Sequence, residues 1–122
     1  MLHHLSLPVS DMHKSRALYV AALGALGYRQ VCEAADFAGF GLNIGEDMFA
    51  LKLEANTIAA SAGFHVAFAA DSHDAVDAFY AAALEHGATD NGAPGLRPHY
   101  AANYYAAFVI DLDGHRLEVV HF

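Results

Sequence analysis

Apolar and polar residues alternate over residues 2–9, with Leu5, Leu7 and Val9 on one side and His4, Ser6 and Pro8 on the other, the period of a half-buried strand. Ser10 and Asp11 then offer N-cap chemistry. Ala17, Leu18, Ala21, Ala22 and Ala25 recur at helical spacing, which predicts a helix over about 13–25 that Gly24 and Gly27 end. Three short strands are expected near 28–33, 36–43 and 47–54, punctuated by Gly39, Gly41 and Gly45. Small residues dominate 55–63, which reads as a connector. Beyond it the plan returns: a strand at 64–70, a cap at Asp71-Ser72, a helix at 73–86 ended by Gly87, and strands near 104–110 and 116–121. The stretch Asn91 to Tyr100, rich in Gly and Pro, is expected to be a loop carrying functional side chains.

The second half repeats the first. His65, Tyr80 and Leu84 follow His4, Tyr19 and Leu23 at a constant shift of 61. Equivalent histidines therefore open equivalent strands, and His4 lies opposite the main apolar face of its strand. A duplicated scaffold that turns one imidazole from each half toward its pseudo-twofold axis is a natural way to assemble a metal site, and Glu118 in the last strand can complete it. The whole chain, 1–122, reads as a single domain, with a first module at 1–57 and a second at 62–122.

Composition narrows the function. Six basic residues against fourteen acidic ones give a formal charge of −8 with no Lys/Arg stripe, which argues against a nucleic-acid partner. No apolar run reaches membrane-spanning length and no signal-peptide layout opens the chain, so no membrane association and a cytoplasmic location are expected. A lone Cys32 agrees with a reducing compartment. Nine histidines are a surplus for this length, and imidazole is a common metal ligand that also titrates near neutrality.

A β-α-β-β-β unit used twice, His-x-x-Leu-x-Val-x-Asp opening one copy, His65-Val66-Ala67-Phe68 opening the other, and Asp111-Leu112-Asp113-Gly114-His115-Arg116-Leu117-Glu118 near the end together resemble the vicinal oxygen chelate superfamily. That group includes glyoxalase I, bleomycin-binding proteins, thiol-transferring fosfomycin resistance enzymes and extradiol dioxygenases. The resemblance implies an α+β fold of two such modules curving into an incomplete barrel around a metal cavity. It also implies one divalent ion (Zn, Ni, Co, Mn or Fe) held by His4, His65 and Glu118. It further implies a small-molecule substrate with adjacent oxygens, and a homodimer in which His4 meets the partner's ligands.

The chain departs from the pattern at two places. Where glyoxalase I has a fourth ligand, counting back from Asn56 places Lys52, a cation able to stabilise an oxyanion or steer an anionic substrate, with Glu54 two residues on as an alternative base. Where ring-cleaving and fosfomycin relatives carry a tyrosine, ten residues before the carboxylate, the chain has Phe108. Glu118, His99, Lys52 and Tyr100 are thus the catalytic candidates. Arg97, Tyr104, Tyr105, Phe108 and Phe49 are the substrate-binding ones, Arg97 as a bidentate clamp on a carboxylate. The leading expectation is a metal-dependent, glyoxalase-like lyase or isomerase. Its rivals are an Fe(II) dioxygenase-type or thiol-transferase enzyme of the same superfamily, and a non-catalytic small-molecule binder like the bleomycin-resistance proteins.

Overall fold

The computed structural model describes residues 1–122. Strand β1 (Leu5–Val9) leads through Asp11, whose carboxylate accepts the amide of Lys14, into helix α1 (Met12–Gly24). Strands β2 (Arg29–Ala34), β3 (Phe37–Gly41) and β4 (Phe49–Leu53) follow. β4 then returns beside β1 in parallel, so the first sheet runs β1-β4-β3-β2. The second copy has β5 (Val66–Ala69), α2 (His73–Glu85), β6 (Thr89–Leu96), β7 (Tyr105–Ile110) and β8 (Arg116–His121), with the sheet order β5-β8-β7-β6. Ser72 caps α2 as Asp11 caps α1, and 72 − 11 is the same shift of 61. The two sheets stay open, an incomplete barrel in an α+β fold.

The apolar set of each strand faces the helices. Leu7, Val9, Phe40, Phe49 and Leu51 from the first sheet and Val109, Leu117 and Val119 from the second join Leu18, Tyr19, Leu23, Val76 and Phe79 of α1 and α2 in one core. An aromatic chain crosses between modules: Tyr19, Phe49, Phe68 and Phe79 lie 5.3–5.8 Å apart, ring to ring. Polar ties also join the modules. The Tyr19 hydroxyl donates to Asp111 at 2.6 Å, His115 Nε2 donates to the Pro8 carbonyl at 2.7 Å, and the Ser10 hydroxyl donates to Asp113 at 2.6 Å. Asp111 is buried and also accepts the amides of Asp113 and His115, which fixes the turn that launches β8.

One element departs from the sequence expectation. The segment expected as a loop from Asn91 is strand β6 as far as Leu96, and only 97–104 forms a loop. β6 pairs with β7 through two register shifts, at Asp90/Gly92 and Gly92/Gly95. Bulges of this kind place extra residues in a strand and erase its two-residue alternation. Gly92, at φ 145°, takes a conformation that side chains disfavour.

Candidate functional site

Each sheet has a face turned away from the helices, and the candidate residues divide across it. In β8, Leu117 and Val119 point into the core, so Glu118 projects from the opposite face. Its neighbours there are Ala67 of β5 and Phe108 of β7, its direct partners in the two ladders. Glu118 is only 3% exposed. A carboxylate taken from water needs compensating partners, and it has two. His65, which precedes β5 and shares the parity of Ala67, brings Nε2 to 3.0 Å from Oε2. The Tyr104 hydroxyl donates to Oε1. Tyr104 is correspondingly pushed up to about 12, chiefly by burial and then by its bond to Glu118.

The loop 97–104 holds Tyr104 in place. The amide of Arg97 donates to the Tyr104 carbonyl at 2.7 Å, and the amides of Tyr100 and Ala101 donate back to the Arg97 carbonyl. An aromatic file of His99, Tyr100, Tyr104 and Phe122 runs along it with ring separations of 4.2, 5.0 and 5.5 Å. His99 and Tyr100, both expected to handle protons, are exposed and touch one another rather than Glu118. The residue that reaches the carboxylate is Tyr104.

Arg97 folds back along β6. Its two terminal nitrogens donate to the carbonyls of Gly95 and Ala93 at 2.9 and 2.8 Å, and its guanidinium lies over the Phe108 ring, 5.4 Å from the centroid. It forms no ion pair within the chain despite fourteen acidic residues. The cation therefore sits beside Phe108, across the ladder from Glu118.

Three expectations need correction. Lys52 is not the counterpart of Glu118. In the second module Ala67 pairs with Glu118; its equivalent at the shift of 61 is Ser6, and Ser6 pairs with Ala50. Ala50 thus stands where the fourth ligand was sought, and a methyl group has no donor. Lys52 sits two pairs further along, opposite Pro8 and exposed, and Glu54 lies beyond the strand. Tyr105 faces α2, stacking on His73 at 3.8 Å and donating to Asp77, so it belongs to the helix side. Phe49 is buried among Tyr19, Phe40 and Phe68 and lines an apolar cavity at β1 rather than standing beside Glu118.

His4 precedes β1 as His65 precedes β5, and it is exposed, with Nδ1 2.8 Å from Nδ1 of His3. It does not join the other two within one chain: no three His, Cys, Asp or Glu side chains converge. His3 and His4 instead help wall an apolar cavity of about 260 Å³ between β1 and β5, together with Leu5, Met48, Phe49 and Phe68. The donor set at Glu118, one imidazole nitrogen and one carboxylate oxygen in contact, suits a divalent cation and lacks only a third ligand.

With this arrangement in view, the family is established: the chain belongs to the glyoxalase/bleomycin resistance protein/dioxygenase superfamily, whose model matches residues 1–119. Among solved structures it is similar to a glyoxalase/bleomycin resistance protein from Albidiferax ferrireducens T118, at 27% identity and a TM-score of 0.84 over 98% of this chain and 97% of that one. It shares its fold with the fosfomycin resistance protein FosX of Mesorhizobium loti (20% identity, TM-score 0.72, 100% and 92% covered) and that of Listeria monocytogenes (17%, 0.72, 100% and 93%). No curated protein matches the sequence. No helix is long and apolar enough to cross a membrane.

Proposed function

We propose that the chain is a metal-dependent enzyme, a glyoxalase-like lyase or isomerase acting on a small molecule with two adjacent oxygens, and that it works as a homodimer in which His4 of one copy joins His65 and Glu118 of the other. The observation that carries this reading is the buried Glu118 carboxylate meeting His65 on a sheet face otherwise lined by Ala67 and Phe108. Glu118 is buried while the His65 ring is half exposed, and a carboxylate taken from water in this way is costly for stability alone. A second copy also has surface to cover. Leu2 and Met48 lie beside His4 in the cavity wall, Phe64 precedes His65, and Phe122 touches Tyr104; all four are large, apolar and exposed.

A bound divalent cation supplies Lewis acidity toward two neighbouring substrate oxygens. The residues do the rest. Tyr104 holds Oε1 of Glu118, so Oε2, which His65 Nε2 meets at 3.0 Å, is the oxygen that would share a cation with that imidazole or accept a proton from the carbon next to a substrate carbonyl. Phe108 and the ring of Tyr104 shield that oxygen from water. Arg97 supplies fixed positive charge for an anionic group of the substrate.

A second reading, an Fe(II) oxygenase, is favoured by Ala50, which limits the protein donors to two histidines and one carboxylate. Metal analysis of protein purified without a tag separates the readings. Zn, Ni, Co or Mn at one ion per chain supports the isomerase or lyase, Fe supports the oxygenase, and metal-free protein that still binds small aromatic cations supports a sequestering module. His65→Ala and Glu118→Ala should each abolish stoichiometric metal while keeping the fold by circular dichroism. Full retention in both moves the site elsewhere.

A further inference from the structure

Phe108 stands directly opposite Glu118 in the β7/β8 ladder and offers it no polar group. The hydroxyl that Glu118 accepts comes instead from Tyr104, fourteen residues before it and outside the strand. We infer that Tyr104 is the positioning residue of this site: its hydroxyl occupies Oε1, fixes the carboxylate rotamer and leaves Oε2, 3.0 Å from His65 Nε2, as the one oxygen that would share a cation with the imidazole.

Several features prepare Tyr104 for this. Its amide donates to the Ala101 carbonyl and its carbonyl accepts the amide of Arg97, which closes the loop at its base. Tyr100 meets its ring edge-on at 5.0 Å and Phe122 packs at 5.5 Å, so the ring has packed neighbours on two sides. The two oxygens of a buried carboxylate are equivalent until something distinguishes them. Here Oε1 has the hydroxyl and Oε2 has the imidazole. Without the hydroxyl, Oε1 is left buried without a partner, and the carboxylate can swing to present either oxygen, or both, to a cation. The loop carrying Tyr104 therefore sets the donor number of the site without itself being a ligand.

The inference rests on the metal reading above, and Co(II) serves as the probe because its visible absorption reports donor number and geometry. Tyr104→Phe keeps the ring packing and removes only the hydroxyl. It should weaken Co(II) binding about 10-fold or more, the usual effect of losing a partner of a ligand, and dim the visible bands as a second carboxylate oxygen joins. Tyr104→Phe combined with Phe108→Tyr returns a hydroxyl to the face opposite Glu118 and should restore the wild-type spectrum and most of the affinity. A merely structural role would lower the melting temperature of metal-free protein and leave the Co(II) spectrum unchanged. If wild type and Tyr104→Phe bind Co(II) with equal affinity and identical spectra, the inference fails and the metal reading stands. If the wild type takes up no Co(II), the metal reading fails and carries the inference with it.

Discussion

Single hydroxyls carry unusual weight in this molecule because two of them end on carboxylates that water scarcely reaches. Tyr19 is fully buried and donates to the buried Asp111; burial first, and then the charge of Asp111, holds its ionisation well above that of a free phenol. Tyr19→Phe should cost about 1.5–3 kcal/mol in urea unfolding, the range for a hydrogen bond to a charged group. Because the folded state binds these phenolic protons more tightly than the unfolded chain, Tyr19 and Tyr104 contribute stability that is intact below pH 10 and is lost as pH rises, for Tyr104 through about 12. The urea midpoint should fall across that window, and less steeply in Tyr19→Phe. A flat profile in the wild type would remove this account. At this scale the sequence was legible where parity was followed: Glu118 and His65 meet, and Tyr104, at the parity of Phe108, turns to their face, whereas grouping Tyr105 with the substrate-binding residues set that alternation aside. Parity could not fix Lys52, because register depends on the partner strand and a displacement of two preserves every face.

Among the elements, the repeat announced seven of eight strands and both helices, since capping residues and the shift of 61 agree in each half. Strand β6 was hidden because Thr89-Asp90-Asn91-Gly92-Ala93-Pro94-Gly95-Leu96 lacks alternation, and its bulges are the reason. Those bulges free the carbonyls of Ala93 and Gly95, which the Arg97 guanidinium takes up. Gly92 makes room for this: a Cβ there would lie 3.1 Å from the Phe108 ring and 3.3 Å from Arg97, at a φ of 145°. Gly92→Ala should therefore destabilise the protein by about 1–3 kcal/mol and speed amide exchange in β6 more than in β3. Equal protection of β6 in both proteins would show that the edge strand does not depend on the stack.

For the whole molecule, the proposed site draws its third ligand from a second copy. Each sheet ends in strands paired on one side only, β1 and β2 in one and β5 and β6 in the other, and edges of this kind invite a partner. Light scattering should give the mass of two chains, and a mixing experiment tests the shared site. His4→Ala and Glu118→Ala should each lack metal, yet co-refolded in equal amounts they should recover about a quarter of the wild-type content, since a mixed pair rebuilds one intact site of two. No recovery would place the site within one chain. The ties between modules have a further consequence during synthesis. Ser10 finds Asp113 and Pro8 finds His115 at separations of 103 and 107 residues, so the last bonds of β1 close only when nearly all of the chain has left the ribosome. The polar partners of Tyr19, Ser10 and Pro8 are therefore missing until the turn after β7 emerges. Shortened nascent chains ending before Asp111 should be the form most readily captured by chaperones and proteases.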